Sequence, residues 1–149
     1  MIVDRLTPAS AAQMAALHAR CFDSGWSEAE LTSLILMPSS LTLGVLHDGQ
    51  VEGFILCRKA VDEAEILTIC VDPEKRGTGT GRAILDAAHK ALATQSVTRV
   101  LLEVSTDNSA ARRLYDQAGY SVIGKRPGYY RNGSDALMLE KSLSGRGQA

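Results

Sequence analysis

Residues 65–82 read EILTICVDPEKRGTGTGR, an apolar run ending at Val71, a proline-containing turn, and glycines at 77, 79 and 81 among basic residues. A strand that passes through such a loop into the helical pattern of residues 80–93 turns backbone N–H groups outward at a helix N-terminus, which makes a cradle for phosphate. Gly81 is followed by Arg82 and Ala83, so the Gly-Lys-Ser/Thr of a nucleotide-hydrolysing P-loop is absent. A dinucleotide fingerprint counted from Gly77 needs Gly or Ala at 82, which is Arg; counted from Gly79 it needs one at 84, which is Ile. Lys75, Arg76 and Arg82 flank the loop and favour an anionic ligand over an empty turn.

Working outward, Ile2–Leu6 reads as a short strand. Thr7 caps and Pro8 opens a helix with Ala11, Met14, Ala15, Leu17 and Phe22 at helical spacing. Ser27 and Glu30 form a capping box for a second helix that stops before Pro38. Leu41–Leu46 and Val51–Val61 flank His47-Asp48-Gly49-Gln50, a tight-hairpin signal. Glu65–Val71 and Val97–Val104 read as inner strands, Asn108–Ala118 as a helix with Gly119 ending it, and Ser121–Gly124 with Asp135–Leu143 as a closing antiparallel pair. The order β-α-α-β-β-β-α-β-α-β-β predicts an α/β (α+β) layered fold with about seven strands and four helices.

With 149 residues, the chain is the size of one domain, expected over 1–143 with a loose tail at 144–149 (SGRGQA). A net charge of −1 gives no field to gather nucleic acid or anionic lipid. The first residues, MIVDRLTPAS, lack the pattern of a signal peptide, and no apolar run is long enough to span a membrane, so the expected location is the cytoplasm. Cys21, Cys57 and Cys70 are widely spaced, which predicts buried thiols and neither disulfides nor a zinc site. His18 and Cys21, three apart on one helix, lack partners for a metal, and no metal is expected.

The loop matches Arg/Gln-x-x-Gly-x-Gly/Ala through Arg76, Gly79 and Gly81, and here the sequence resembles the GCN5-related N-acetyltransferase (GNAT) superfamily. The resemblance implies a mixed sheet in which a bulge splays two parallel strands, mapped to Glu65–Val71 and Val97–Val104. It implies acetyl-CoA as co-substrate. Amides of Arg76, Gly77, Thr78, Gly79, Thr80, Gly81 and Arg82 would bind the pyrophosphate, and the backbone of Ile69, Cys70 and Val71 the pantetheine arm. The Val71 amide would polarise the thioester carbonyl.

Glu103 lies between Leu102 and Val104 near the end of an apolar strand, where a carboxylate is costly unless paired or used. Tyr115 falls on the inner face of the next helix, and Asn108 reads as its N-cap. Read whole, LLEVSTDNSAARRLYDQAGY (101–120) resembles the ribosomal-protein-alanine N-acetyltransferases, the RimI type, through Leu102-Glu103-Val104, Asn108 with Ala111, and Leu114-Tyr115 with Gly119-Tyr120. That resemblance implies Glu103 as general base, Tyr115 as general acid and CoA-contacting residue, and Asn108 as a ligand of the CoA arm. The implied acceptor is the N-terminal alanine of a small-subunit ribosomal protein. Alternatives are lysine or small-amine acceptors and, from another class, a non-catalytic acyl-CoA sensor; a monomer is the default. Two positions depart from the RimI pattern: Gly25 precedes Trp26 where proline is usual, and Arg131 follows Tyr129-Tyr130 where proline is usual.

Overall fold

Asp48 and Gly49 both take positive φ, 51° and 77°, the backbone twist that lets a two-residue turn join antiparallel strands. They connect β2 (Ser40–His47) to β3 (Gln50–Ala60) in a computed structural model that describes residues 1–22 and 25–143. The tail expected at 144–149 lies outside the described residues. The remaining elements are β1 (Val3–Arg5), α1 (Ala11–Cys21), α2 (Glu28–Leu36), β4 (Glu63–Val71), α3 (Thr80–Thr94), β5 (Arg99–Ser105), α4 (Ser109–Gln117), β6 (Ser121–Arg126) and β7 (Ala136–Ser142).

Local chemistry explains most boundaries. Ser27 Oγ accepts from the Glu30 N–H while Glu30 Oε1 accepts from the Ser27 N–H, so the capping box is complete. Asn108 Oδ1 caps α4 through the Ala111 N–H, and Gly119 follows that helix at φ 93°. Thr7 and Pro8 start a 3₁₀ turn over Pro8–Ser10 rather than α1 itself, and Phe22 is the residue after α1 rather than part of its apolar face. β4 begins two residues before the expected start, because Val61 takes a left-handed turn (φ 59°) that returns the chain at once.

The seven strands form one sheet in the order β1-β2-β3-β4-β5-β7-β6, antiparallel except for β4 and β5. α3 packs on one face over Ile55, Cys57, Ile66, Val100, Leu102 and Val104. The other face is covered by α1 and α2 over Phe54, Leu56, Leu67 and Cys70. Residues buried without remainder, among them Phe54, Met14, Ile84 and Leu85, lie at these two contacts.

The pairing of β4 with β5 is short. It covers Glu63↔Arg99, Ala64↔Val100 and Glu65↔Leu101 and then stops, so the two strands diverge toward their C-terminal ends. The cause lies on the other edge of β4: Leu56 pairs Thr68 and Cys57 pairs Ile66, which leaves Leu67 as an extra residue in a bulge. A bulge resets the face parity of a strand. Ile66 points into the α3 core and Leu67 into the α1–α2 core, and Thr68 meets His18 of α1. Among the described residues no helix is long and apolar enough to cross a membrane.

Candidate active site

The loop after β4 is held from below. Asp72 Oδ1 accepts from the Glu74 N–H at 2.9 Å and from Arg20 Nη2 of α1 at 3.0 Å, which keeps its carboxyl below the usual carboxylate range. Above it, Gly77 and Gly79 take φ of 80° and 86° with open space where a Cβ would stand. Gly79 is the N-cap of the 15-residue α3 and supplies no side-chain hydrogen bond, so the first N–H groups of the helix are left for a ligand. Gly81 differs, since a Cβ there would meet Val71 Cγ2 at 3.5 Å and Leu114 Cδ2 at 3.6 Å, ordinary contact distances. That matches the tolerance for alanine at this place in the loop motif.

A cavity of about 750 Å³ opens over this loop and the tips of the splayed strands. Of the residues read from sequence as CoA-binding, Ile69, Cys70, Val71, Arg76, Gly77, Gly79, Thr80, Gly81, Arg82 and Asn108 line it. Thr78 does not; its hydroxyl braces the loop, donating to the Lys75 carbonyl and contacting Thr80 Oγ1 at 2.9 Å. Lys75, Arg76, Arg82 and Arg113 face Asp107 as the lone acidic lining residue, a balance that suits a polyphosphate. Among the described residues Arg76 and Arg113 make no ion pair, whereas Lys75 and Arg82 are held by Glu52 and Asp86. Cys21 and Phe22, read from sequence as packing residues, also line the cavity.

Cys70 lines the cavity but stays protonated, since burial and then the neighbouring Cys21 push its thiol up. Burial alone pushes Cys57 up to about 12. All three cysteines are free, and a thiolate nucleophile has no support here.

Glu103 sits on the same face of β5 as Leu101 and Ser105, opposite the α3 core, where no helix among the described residues covers the sheet. It lines a second hollow of about 360 Å³ with Arg58, Glu63, Glu65, Arg126 and Met138, at the point where β4 and β5 part. Its Oε2 is buried and lacks a hydrogen bond among the described residues, although Arg126 Nε stands 3.5 Å away as an ion-pair partner. An unfilled oxygen of this kind costs about 1–3 kcal/mol, so a donor brought to it by a ligand would be favoured. The turn between β6 and β7 folds over it: Ser134 Oγ contacts Ser105 Oγ at 2.9 Å, and burial and then the Glu103 charge raise the Tyr130 phenol.

Tyr115 is 4% exposed and packs edge-on against Tyr120 at 5.4 Å, outside the lining of either cavity. Burial first, and then Cys57, Cys70 and Tyr130, raise its phenol, so it holds its proton firmly. Arg126, Ser105 and Ser134 were missed from sequence because partners 23 to 29 residues apart carry no local signal.

Residues 11–120 match the profile of the Acetyltransferase (GNAT) family. The N-alpha-acetyltransferase RimI of Mycobacterium tuberculosis is 34% identical over 150 residues, covering 93% of this chain and 90% of the relative. The crystal structure of the ribosomal-protein-S18-alanine N-acetyltransferase from Escherichia coli superposes with a TM-score of 0.88 at 26% identity, over 95% of this chain and 93% of that one. An aminoglycoside 6'-N-acetyltransferase complexed with coenzyme A shares the fold, with a TM-score of 0.81 at 17% identity over 96% and 97% of the two chains.

Proposed function

The chain belongs to the GNAT acetyltransferase family, and on that premise we propose that it acetylates protein N-termini, its acceptor being the N-terminal alanine of a small-subunit ribosomal protein. The observation that carries this reading is Glu103, one buried carboxylate oxygen without a hydrogen bond at the parting of β4 and β5. The family relation and the names of the RimI and S18-alanine relatives support the acceptor class.

The residues present fit acetyl-CoA. Loop amides at 76–82 and the uncapped start of α3 would take the pyrophosphate, with Arg76 and Arg113 as counter-ions. Beyond Glu65 the β5-facing edge of β4 has lost its strand partner, so Ile69, Cys70 and Val71 offer backbone groups to the pantetheine arm, and Asn108 lines the same cavity. The amine attacks the thioester carbonyl directly; the carbon–sulfur bond breaks and CoA leaves as the thiol.

An ammonium must first lose a proton. At pH 7 that costs about 1 kcal/mol for an α-amine of pKa ~7.7–8.0 and about 4.6 kcal/mol for a lysine of pKa ~10.4. A single carboxylate, Glu103, suffices for the first. Tyr115, kept protonated by burial, acts as the acid toward the departing sulfur.

The acceptor panel that tests this consists of alanine-starting peptides, the same peptides N-blocked with an internal lysine, and polyamines, read by CoA release. Free alanine peptides react on this account. Reaction of only the blocked lysine peptides or polyamines refutes the acceptor, and CoA binding without turnover of any acceptor refutes the enzyme.

A further inference from the structure

The carboxylates that share the second hollow are not treated alike. Glu65 accepts from Arg58 Nη2 at 3.3 Å and Glu63 accepts from Arg99 Nη1 at 2.9 Å, an arginine that also bonds Glu140, so each is hydrogen-bonded by an arginine. Glu103 has an arginine too, but Arg126 Nε stands 3.5 Å from Oε2 without hydrogen-bond alignment. Arg126 is the last residue of the edge strand β6, its side chain is 52% exposed, and its guanidinium carbon lies 5.4 Å above the Tyr129 ring. One arginine is thus shared between a carboxylate it neutralises without bonding and an aromatic face that holds a cation well.

We propose that Arg126 is the resting counter-ion of Glu103 and a specificity-determining residue for the acceptor: the acceptor's α-ammonium displaces it from Oε2, and the guanidinium shifts onto the Tyr129 ring. The inference rests on reading Glu103 as the carboxylate that receives the amine. An ammonium is compact and has three donors free to rotate, whereas a guanidinium presents a planar fork. The ammonium can therefore align on Oε2, which Arg126 Nε approaches to 3.5 Å without a hydrogen bond. Displacement is easy because half of the Arg126 side chain already meets solvent and the ring is in place to take it.

This arrangement selects cations. A blocked amine or a hydroxyl brings no charge to replace that of Arg126 and leaves the Glu103–Arg126 pair closed. A primary ammonium opens the pair and puts its own N–H on Oε2; as that bond breaks the proton passes to Glu103 and the lone pair is freed for attack.

The test uses the full chain saturated with CoA, so that no turnover occurs, titrated calorimetrically with an alanine-starting hexapeptide and with its N-acetylated form. Arg126→Ala is expected to tighten the free-amine peptide about fivefold, the factor that a half-exposed ion pair commands. It leaves the acetylated peptide and CoA unchanged. Arg126→Met, which keeps the aliphatic stem, repeats the measurement should the alanine variant fold poorly. In a Glu103→Gln background the Arg126 substitutions lose their effect. Unchanged or weaker binding of the free-amine peptide to Arg126→Ala or Arg126→Met, with CoA binding intact, overturns the proposal. Normal turnover by Glu103→Gln would instead remove the base assignment, a separate result read in a separate assay.

Discussion

Gly79 and Gly81 are two residues apart in one loop, and the structure gives them opposite responses to the same added methyl. Gly79 holds φ 86°, where an L side chain costs about 1–2 kcal/mol. Gly81 lies in the first turn of α3 with room for a Cβ, and alanine there gains about 0.5–1 kcal/mol of helix-interior stability. For a chain of this size each kcal/mol moves Tm by roughly 2–4 °C. Gly79→Ala should therefore melt about 2–8 °C lower than wild type and Gly81→Ala about 1–4 °C higher, followed by circular dichroism. The Cβ at 79 also projects into the open space of the cradle, so the Gly79 variant should bind CoA about 10–100-fold more weakly, the loss expected for one hydrogen bond to a charged group. Gly81→Ala should bind within a factor of about two of wild type. Equal melting shifts of the same sign, or undiminished CoA affinity in Gly79→Ala, would refute the claim that a left-handed N-cap shapes a phosphate cradle.

Further predictions concern the scaffold. His18 accepts the Trp26 N–H on Nδ1 at 3.3 Å, contacts Thr68 Oγ1 through Nε2 at 3.2 Å and stacks on Trp26 at 5.3 Å, and burial lowers its pKa. Because Trp26 is the sole tryptophan, its emission should titrate with a midpoint below 6.5, and His18→Gln should erase the step; a midpoint at or above 6.5 contradicts the buried, neutral imidazole. Burial also lowers His89 to about 4, beside Tyr120 Oη at 2.7 Å. Both histidines are therefore protonated first in the unfolded chain, so urea midpoints should fall as pH drops from about 6.5 toward 4 and stay flat between about 6.5 and 8, the reverse slope refuting the assignment. Ser27→Ala removes half of the capping box and should cost about 1 kcal/mol in urea unfolding, with acetyl-CoA affinity unchanged.

The element order and the loop were legible because they depend on local signals. Asp48-Gly49, Ser27 with Glu30, Asn108 and Gly119 each mark a boundary through their own backbone chemistry. What escaped was non-local. The resemblance implied a splay, but the sequence of β4 does not show that Leu67 is the residue bulged out, since its burial alternates through the bulge and only pairing with Leu56 and Cys57 reveals it. Glu103 was legible as a misplaced charge on an apolar strand, whereas Arg126 beside it, the place of Cys21 and Phe22 in the cavity lining, and the Ser105–Ser134 contact needed the sheet to close. His18 looked like a packing residue and is one, yet it also ties α1 to the bulge at Thr68 and to the Gly25-Trp26 departure: a Cβ at 25 would lie 3.2 Å from His18 Nδ1.

The proposed roles of Glu103 as base and Tyr115 as acid are tested by CoA release from acetyl-CoA with a free alanine-starting peptide by wild type, Glu103→Gln and Tyr115→Phe, alongside CoA affinity for each. Glu103→Gln should lose about 10²–10⁴ in turnover and Tyr115→Phe should show a large loss, with CoA affinity retained in both. Near-normal turnover in both variants would contradict these roles.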